Sequence, residues 1–473
     1  MTIIDIIKVI SGITFVWIFI YSIAVIRKYR RSFHKTLKNC AIDVALTPLR
    51  WFKIGPYSRG EKMIRDINES LTYATKKSGL SDFGGTGFID AYNKIMKSEV
   101  QLNEKYTNLG YIAAKIELGM GWVRRLKLVD YIKKNPDVLQ VPVRSPVFVM
   151  GLPRTGTTFL HRLLSLDPAV RAPITWELLA PVPTPSGKDS AELHNTDREK
   201  RAKYIRKLIA TRKSMGDYAL ERIHEVGWDL PEECLLGLSD EMPLHIQFFH
   251  ADYINIDKFL ELDATDAYAY YKKILQLLSY QIGDRTNPKR WTLKCPVHLF
   301  YPKQIAKVFP DAKFIWTHRH PLSAVPSLCS LVQAAHSVYY EPDNLKVDRL
   351  GASLNELSRR LVSQTADVLK QTKCESMDVI YDELIKNPKA TVQQVYKQFG
   401  WTFTPEYEAI LDEFIKNDNI KRANLKAKQS SQEKKENLHD YSPETYSLTK
   451  EQLCSGDYKT YIDRFKLTPP KEK

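Results

Sequence analysis

The fold of this protein is decided by one short stretch, Val147–Pro168, which reads VFVMGLPRTGTTFLHRLLSLDP. Its apolar start is typical of a buried parallel strand, and TTFLHRLLSLDP has the apolar period of a helix that ends before Pro168. Gly151 and Gly156 lie in the turn between them. A glycine-rich turn at the start of a helix presents unpaired backbone N–H groups to an anion, and the helix dipole favours negative charge there. The stretch therefore predicts a phosphate-binding loop between a strand and a helix.

This loop differs from the nucleoside-triphosphate pattern GxxxxGK[ST], in which Lys reaches the β- and γ-phosphates and the hydroxyl binds magnesium. Thr157 stands at the lysine position. The cation of the loop is instead Arg154, and Thr157 and Thr158 offer hydroxyl groups to the bound oxygens. A magnesium triphosphate is therefore a poor match for this loop.

Strand and helix signals alternate further along the chain. The strand-like run AKFIWTHRHP lies between two helical runs, HLFYPKQIAKVF and LSAVPSLCSLVQAAHSVYY. Ser376–Ile385 indicates a third strand, and TVQQVYKQFGWTF indicates a helix that ends at Gly400. This alternation predicts an α/β fold, a P-loop-like parallel sheet flanked by helices.

Three regions follow from the pattern: a transmembrane anchor at 1–30, a helical N-terminal region at 31–145, and a main domain at 146–473. Apolar residues recur every three or four positions before Pro146, which indicates packed helices. The charged tail Lys421–Glu436 is poor in apolar residues and predicts a surface loop.

The anchor prediction depends on residues 9–26, VISGITFVWIFIYSIAVI, which carry no charge. As a helix they extend roughly 27 Å, close to the ~30 Å hydrocarbon core of a bilayer. A cleaved signal peptide is the alternative, but no small-residue cleavage site follows. The basic segment RKYRRSFHK comes next, and a positive flank on that side predicts a cytosolic body. We expect a single-pass membrane protein, located in endomembranes if the source is eukaryotic.

Composition limits the partners. Lys and Arg number 70 against 55 Asp and Glu, a formal net charge of +15. Such an excess suits an anionic substrate, a membrane surface or a nucleic acid. No RNA-recognition signature, zinc ribbon or basic recognition helix is present, so we predict no nucleic-acid partner. The six cysteines are scattered without CxxC pairs, and we predict no metal.

Several segments resemble the sulfotransferases that use 3′-phosphoadenosine 5′-phosphosulfate (PAPS). PVFVMGLPRTGTTFLHRLL is similar to the 5′-phosphosulfate loop of that family, and THRHPLSAVPSLCSL to its 3′-phosphate site, in which an Arg ends a strand and a Ser follows eight residues later. RWTLKCPVHLF, DVIYDELIKNP and VYKQFGWTFTPE resemble a branch best known from bacterial proteins of unassigned substrate. The resemblance implies that the co-substrate PAPS is bound by Arg154, Thr155, Gly156, Thr157, Thr158, Arg319 and Ser327.

One position departs from the family pattern. The family usually has Asp where this chain has His320. The change removes a possible partner for Arg319 and leaves the local orientation open.

Transfer of a sulfuryl group builds negative charge on the bridging oxygen, so cations are needed near it. Arg154 is the first candidate. Lys294 is the second, because family members place a Lys in the segment that LKCP matches. A surface ion pair is the other interpretation of Lys294.

The acceptor hydroxyl also needs a base within about 3 Å. Glu177 is the candidate, since related sulfotransferases carry a base Glu in the region that VRAPITWELLAP matches; capping a helix or pairing with an Arg is the alternative role. His298 is second and His161 another possibility, although a helix-face His is more often structural. The neighbouring pair Glu232 and Glu233 is interpreted as the start of a helix and left outside the site.

The sequence thus predicts a sulfotransferase that moves a sulfuryl group from PAPS to a hydroxyl, or an amine, of a lipid, sterol-like or glycan acceptor. Two other functions remain open. One is a P-loop nucleotide kinase or NTPase, and the other is a nucleotide-binding scaffold without catalytic activity.

Overall fold

The sheet that carries the loop is parallel throughout. A computed structural model describes residues 37–54, 66–97, 106–184, 191–214, 227–242, 256–283, 285–340, 346–431 and 442–470. Within these ranges there are five strands: β1 (Val147–Gly151), β2 (Val170–Arg171), β3 (Arg290–Lys294), β4 (Lys313–His318) and β5 (Glu375–Ile380). Their order is β2-β3-β1-β4-β5. The predicted α/β fold with a parallel sheet flanked by helices is confirmed.

β1 is the central strand, and its register with β3 and β4 determines which residues lie at the end of the sheet. Val149 pairs with Lys294 on β3, and Gly151 pairs with Thr317 on β4. All five residues of β1 are buried, because helices cover both faces of the sheet. The C-terminal ends of β3, β1 and β4 therefore meet at one edge, where ligands bind in open α/β sheets.

The helices in the described ranges surround this sheet and form the N-terminal region. They are Leu37–Trp51, Ile67–Ser78, Gly87–Lys97, Asn108–Lys134, Thr157–Leu164, Thr175–Leu179, Ala191–Ser214, Leu235–Leu238, Ile256–Glu261, Thr265–Gln281, Pro302–Val308, Pro321–Tyr339, Val347–Thr372, Tyr381–Lys386, Pro388–Gln398, Pro405–Ser431 and Gly456–Phe465, with 3₁₀ turns at Pro136–Gln140, Pro296–Phe300 and Pro443–Tyr446.

The N-terminal helices have an aromatic core of their own and dock on the helix Pro321–Tyr339. Phe88 packs against Trp122 with ring centroids 5.1 Å apart. Tyr106 stacks on Tyr340 at 4.9 Å, and the backbone N–H of Thr107 donates to the carbonyl of Tyr339 at 2.9 Å. The helical character predicted for this region is present in its described part. The boundary at residue 146 stays a prediction.

Two segments differ from the secondary structure expected from the sequence. The third strand ends at Ile380, and Tyr381–Lys386 is helical rather than extended. The helix Pro405–Ser431 includes the first half of the predicted surface loop. Lys, Arg, Ala, Leu and Gln in that half are good helix formers, so a low apolar content did not mean a loop.

The prediction of a membrane-anchored protein is corrected. Residues 9–26, on which it depended, lie outside the described residues. In the part of the chain that the structure describes, every helix is too short or too polar to cross a bilayer. The transmembrane helix, the membrane as a partner and the endomembrane location with a cytosolic body are therefore withdrawn. The prediction rested on the apolar length and on the lack of a cleavage site after it, and that length was close to the minimum for a span.

Candidate active site

The loop after β1 is held by two buried hydroxyl groups. Thr155 Oγ1 donates to the carbonyl of Leu152 and lies 2.6 Å from Thr317 Oγ1. A Cβ on Gly151 would come within 2.2 Å of Thr317 Oγ1 and 2.6 Å of Thr155 Oγ1. Only glycine therefore lets the strand pass so close to these hydroxyls. Thr155 is buried and holds the loop through these hydrogen bonds. Its contact with the co-substrate PAPS stays a prediction.

Backbone torsions turn the loop into the helix Thr157–Leu164. Gly156 caps this helix with a φ of 90°, and a Cβ there would also press on Leu384 and Tyr381. Arg154 has a φ of 73°, a left-handed conformation that is uncommon for a side chain of its size. Such strain is often found at ligand sites.

The two anion motifs predicted from distant segments meet in space. Arg154 Nε donates to Ser327 Oγ at 3.1 Å, and Arg319 Nη1 donates to the carbonyl oxygen of Arg154 at 3.0 Å. The Arg319 guanidinium also lies 4.2 Å from the ring centre of Tyr381. The end of β4, the following helix and the loop therefore hold one another in place.

These residues surround one pocket with a volume of about 330 Å³. Its polar side is lined by Arg154, Gly156, Thr157, Thr158 and Arg319. Its apolar side is lined by Leu235, Val297, Leu328, Leu331 and Val332. Arg422 lines it too, and its guanidinium lies 4.8 Å from the ring centre of Phe159. The pocket thus offers cationic, hydroxyl and apolar groups to a ligand.

A buried ion pair lies at the end of β3. Lys294 is fully buried, and its Nζ is 2.7 Å from Glu233 Oε1. Burial alone would lower the pKa of Lys294, but the negative charges of Glu233 and Glu232 outweigh it and raise that pKa above its ordinary value. Lys294 is therefore charged at neutral pH, beside a carboxylate that lines the pocket.

Sequence reasoning left Glu233 out of the site. Its position after Pro231 looked like the start of a helix, and the structure does have a short helix at Leu235–Leu238. No local signal identified Glu233, because its partner Lys294 lies 61 positions away in the chain.

Glu177 lies elsewhere in the described structure. Arg171 Nη2 donates to its Oε1 at 2.6 Å, and Arg198 Nη2 approaches the same oxygen at 3.4 Å. The side chain is buried in this arginine cluster and is absent from the pocket lining in the described ranges. Its role as the base stays a prediction.

The two candidate histidines are buried behind the pocket wall. His298 Nδ1 is 2.8 Å from the hydroxyl of Tyr268, and His161 Nε2 is 3.1 Å from the carbonyl of Thr292. Burial first, and the charge of Lys294 second, lower the pKa of each histidine to about 3. Both are therefore neutral at physiological pH, and their roles as alternative bases stay predictions.

His320 takes a structural position. Its Nδ1 accepts a hydrogen bond from the backbone N–H of Leu322 at 3.2 Å and so caps the helix Pro321–Tyr339. Asp is a preferred residue for this task. Compared with the Asp expected from the family pattern, His320 therefore keeps the helix cap but places no carboxylate beside Arg319.

No three His, Cys, Asp or Glu side chains within the described ranges are grouped so that they could hold a metal. The prediction that no metal takes part is not tested by this finding.

A parallel sheet whose central strand leads through a glycine turn into a helix, with arginines around that turn, defines a P-loop-like α/β protein with an anion-binding pocket. The sequence profile of the sulfotransferase family matches residues 146–405, more than half of the chain. The chain belongs to this family of enzymes.

Known proteins agree with this assignment. The omega-hydroxy-beta-dihydromenaquinone-9 sulfotransferases Stf3 of Mycobacterium bovis and Mycobacterium tuberculosis are each 28% identical to it over 261 residues, 54% of this chain and 62% of the relative. The match thus spans less than two thirds of the length of these relatives.

Solved structures show the same fold. Sulfotransferase STF9 from Mycobacterium avium has 26% identity and a TM-score of 0.69, covering 85% of this chain and 97% of its own. Sulfotransferase STF1 from Mycobacterium tuberculosis H37Rv has 24% identity and a TM-score of 0.65, covering 84% and 98%.

Proposed function

We propose that this protein transfers a sulfuryl group from PAPS to a hydroxyl group of an acceptor with a largely apolar body. The observation that carries the proposal is the contact between the two anion motifs, Arg154 with Ser327 and Arg319 with the backbone of Arg154. The loop residues would hold the 5′-phosphosulfate, and Arg319 and Ser327 the 3′-phosphate. One bis-phosphorylated adenosine could then occupy both motifs.

The transfer needs a cation for the donor and a base for the acceptor. The bond from sulfur to the bridging oxygen of the donor breaks, and a bond from sulfur to the acceptor oxygen forms. Adenosine 3′,5′-bisphosphate leaves, and the acceptor proton moves to a carboxylate. Arg154 in the loop would stabilise the charge on the departing phosphate.

Glu233 is our proposed base, ahead of Glu177. Glu233 lines the pocket, while Glu177 is enclosed by Arg171 and Arg198. Lys294 holds the Glu233 carboxylate at 2.7 Å and would fix its orientation. A positioned carboxylate within hydrogen-bond reach of a hydroxyl is what proton removal requires.

The apolar side of the pocket supports an apolar acceptor. Leu328, Leu331 and Val332 come from the helix Pro321–Tyr339, Val297 from the 3₁₀ turn after β3, and Leu235 follows Glu233 closely in the chain. A hydroxyl at Glu233 would thus be attached to a body that contacts these side chains. The Stf3 relatives are named for a hydroxylated menaquinone derivative, which supports the same acceptor class.

The donor assignment predicts a nucleotide preference. Adenosine 3′,5′-bisphosphate should bind at least about tenfold more tightly than ATP with magnesium, because a charge-assisted contact to the 3′-phosphate adds roughly 1.5–3 kcal/mol. Isothermal titration calorimetry measures both affinities, and Arg319→Ala should remove the preference. Tighter binding of ATP with magnesium would favour a kinase or NTPase. Donor binding without transfer of radioactive sulfate to any hydroxyl acceptor would favour an inactive scaffold.

The acceptor assignment predicts a dependence on chain length. In a series of primary alcohols, kcat/KM should rise about threefold to fourfold per added methylene until the apolar wall is covered, since each buried methylene contributes ~0.8 kcal/mol. Sulfate transfer from labelled PAPS gives the slope. Leu331→Ser should flatten it without weakening bisphosphate binding. Equal rates with short and long alcohols would contradict an apolar acceptor.

A further inference from the structure

A buried polar network surrounds His318, the residue that precedes Arg319. His318 is the last residue of β4 and is fully buried. Its ring stacks on Phe465 with centroids 3.7 Å apart, and its Nδ1 is 3.0 Å from the hydroxyl of Tyr461. Its Nε2 is 2.9 Å from Asp378 Oδ1. Tyr461 and Phe465 belong to the helix Gly456–Phe465, which lies beyond the region matched by the family profile.

The hydrogen bonds of this network have one consistent direction. A carboxylate only accepts, so His318 Nε2–H donates to Asp378, and Nδ1 is left as an acceptor. The Tyr461 hydroxyl then donates to Nδ1. Each polar group in the chain from Tyr461 to Asp378 has a partner that matches it.

The charge state of His318 agrees with this direction. Burial lowers the pKa of His318, and the charge of Arg464 acts in the same sense, whereas Asp378 opposes both. The imidazole is therefore neutral at pH 7 and keeps Nδ1 free to accept.

We infer that Tyr461 is a positioning residue for 3′-phosphate recognition, which acts through the chain Tyr461–His318–Asp378 by holding His318, the strand residue that precedes Arg319. The inference depends on the proposed function, in which Arg319 binds the 3′-phosphate. The guanidinium group of Arg319 contacts the ring of Tyr381 and donates to the carbonyl of Arg154. Tyr461 acts on the backbone end of Arg319, through His318, where the strand is followed by the helix.

The test compares two nucleotides that differ only in the 3′-phosphate. The measured quantity is the ratio of the Kd of adenosine 5′-monophosphate to that of adenosine 3′,5′-bisphosphate, determined by calorimetry on the full chain. Tyr461→Phe should lower this ratio about threefold to tenfold, the range expected for one net hydrogen bond. Affinity for the monophosphate should change less than about twofold, because it lacks the group that Arg319 recognises.

Tyr458→Phe is the matched control. Tyr458 lies on the same helix and is buried, but its hydroxyl donates to the carbonyl oxygen of Asn355 at 2.9 Å. Both variants lose one buried hydroxyl, so both should lower Tm, yet only Tyr461→Phe should change the ratio.

Each result has a distinct meaning. If the wild-type protein does not distinguish the two nucleotides, the proposed function fails at Arg319. If it does and Tyr461→Phe keeps the wild-type ratio, or Tyr458→Phe lowers it equally, the positioning role alone is overturned. Should Tyr461→Phe not fold, Asp378→Ala replaces it, because Asp378 is half exposed. That variant frees the tautomer of His318 and should lower the ratio by about twofold or more; an unchanged ratio would overturn the inference.

Discussion

Glu233→Gln should lower kcat by about a hundredfold to ten-thousandfold, the range that a positioned general base contributes. Gln has the same shape and can still accept the hydrogen bond of Lys294, whose Nζ is 2.7 Å from Glu233 Oε1. The amide cannot take the proton of an acceptor hydroxyl. The affinity for adenosine 3′,5′-bisphosphate should stay within about threefold of wild type, because its proposed contacts are the loop, Arg319 and Ser327 rather than Glu233. Single-turnover transfer of labelled sulfate measures the chemical step directly.

Two further variants separate the base from a general effect of charge. Glu232→Gln removes the neighbouring carboxylate, which also raises the pKa of Lys294 but does not line the pocket. Glu232 Oε1 accepts the backbone N–H of Glu233 at 2.8 Å, a hydrogen bond that the Gln side chain can keep, so this variant should cost less than about tenfold in kcat. Glu177→Gln tests the base expected from the sequence. If Glu177→Gln abolishes transfer and Glu233→Gln does not, the base is Glu177 and our proposal for Glu233 is wrong.

Arg154→Gly should lower kcat/KM by about a hundredfold to a thousandfold, the usual effect of removing one pre-placed donor from a developing negative charge. Glycine is the cleanest replacement because Arg154 has a φ of 73°, which glycine adopts without strain. The free energy of unfolding should therefore change by no more than about 1 kcal/mol. Steady-state kinetics and thermal unfolding of the same preparation give both values.

Arg422→Ala provides the comparison for this loss. Arg422 lines the same pocket from the helix Pro405–Ser431, where its Nε is 2.5 Å from Asp418 Oδ2. Because that charge is already paired, we expect a decrease of less than about tenfold. An equal loss in both variants would mean that the pocket uses only its overall positive field. Activity of Arg154→Gly within about threefold of wild type would remove Arg154 from the mechanism.

Local sequence determined the parts of the site that depend on neighbours along the chain. The run from Val147 to Pro168 specifies strand, glycine turn and helix, because burial of β1, the torsions of the turn and the apolar helix face are short-range properties. The spacing of Arg319 and Ser327 was recognised from the resemblance to the sulfotransferase family. Both lie around one strand-to-helix junction.

Residues far apart in the chain could not be placed in this way. Strand β3 is short and carries Arg290 and Lys294, so its pattern does not resemble a buried strand, yet it pairs with the central strand. That pairing places Lys294 at the end of β3, and the backbone N–H of Cys234, which donates to the carbonyl of Lys294 at 3.0 Å, brings Glu233 beside it.

The sequence alone determined the fold class and the strand, turn and helix of the loop, since hydrophobic period and turn chemistry act over a few residues. The binding of phosphate by the loop, and of the 3′-phosphate by Arg319 and Ser327 as the family resemblance implies, stays a prediction. The tertiary structure decided which carboxylate lines the pocket and which tyrosine contacts His318. The physical reason is that parallel strands join through long crossovers, so their register sets distances that no local pattern contains. Glu233 and Lys294, 61 positions apart, become neighbours where the segment that contains Glu233 bonds to the end of β3 through the backbone of Cys234.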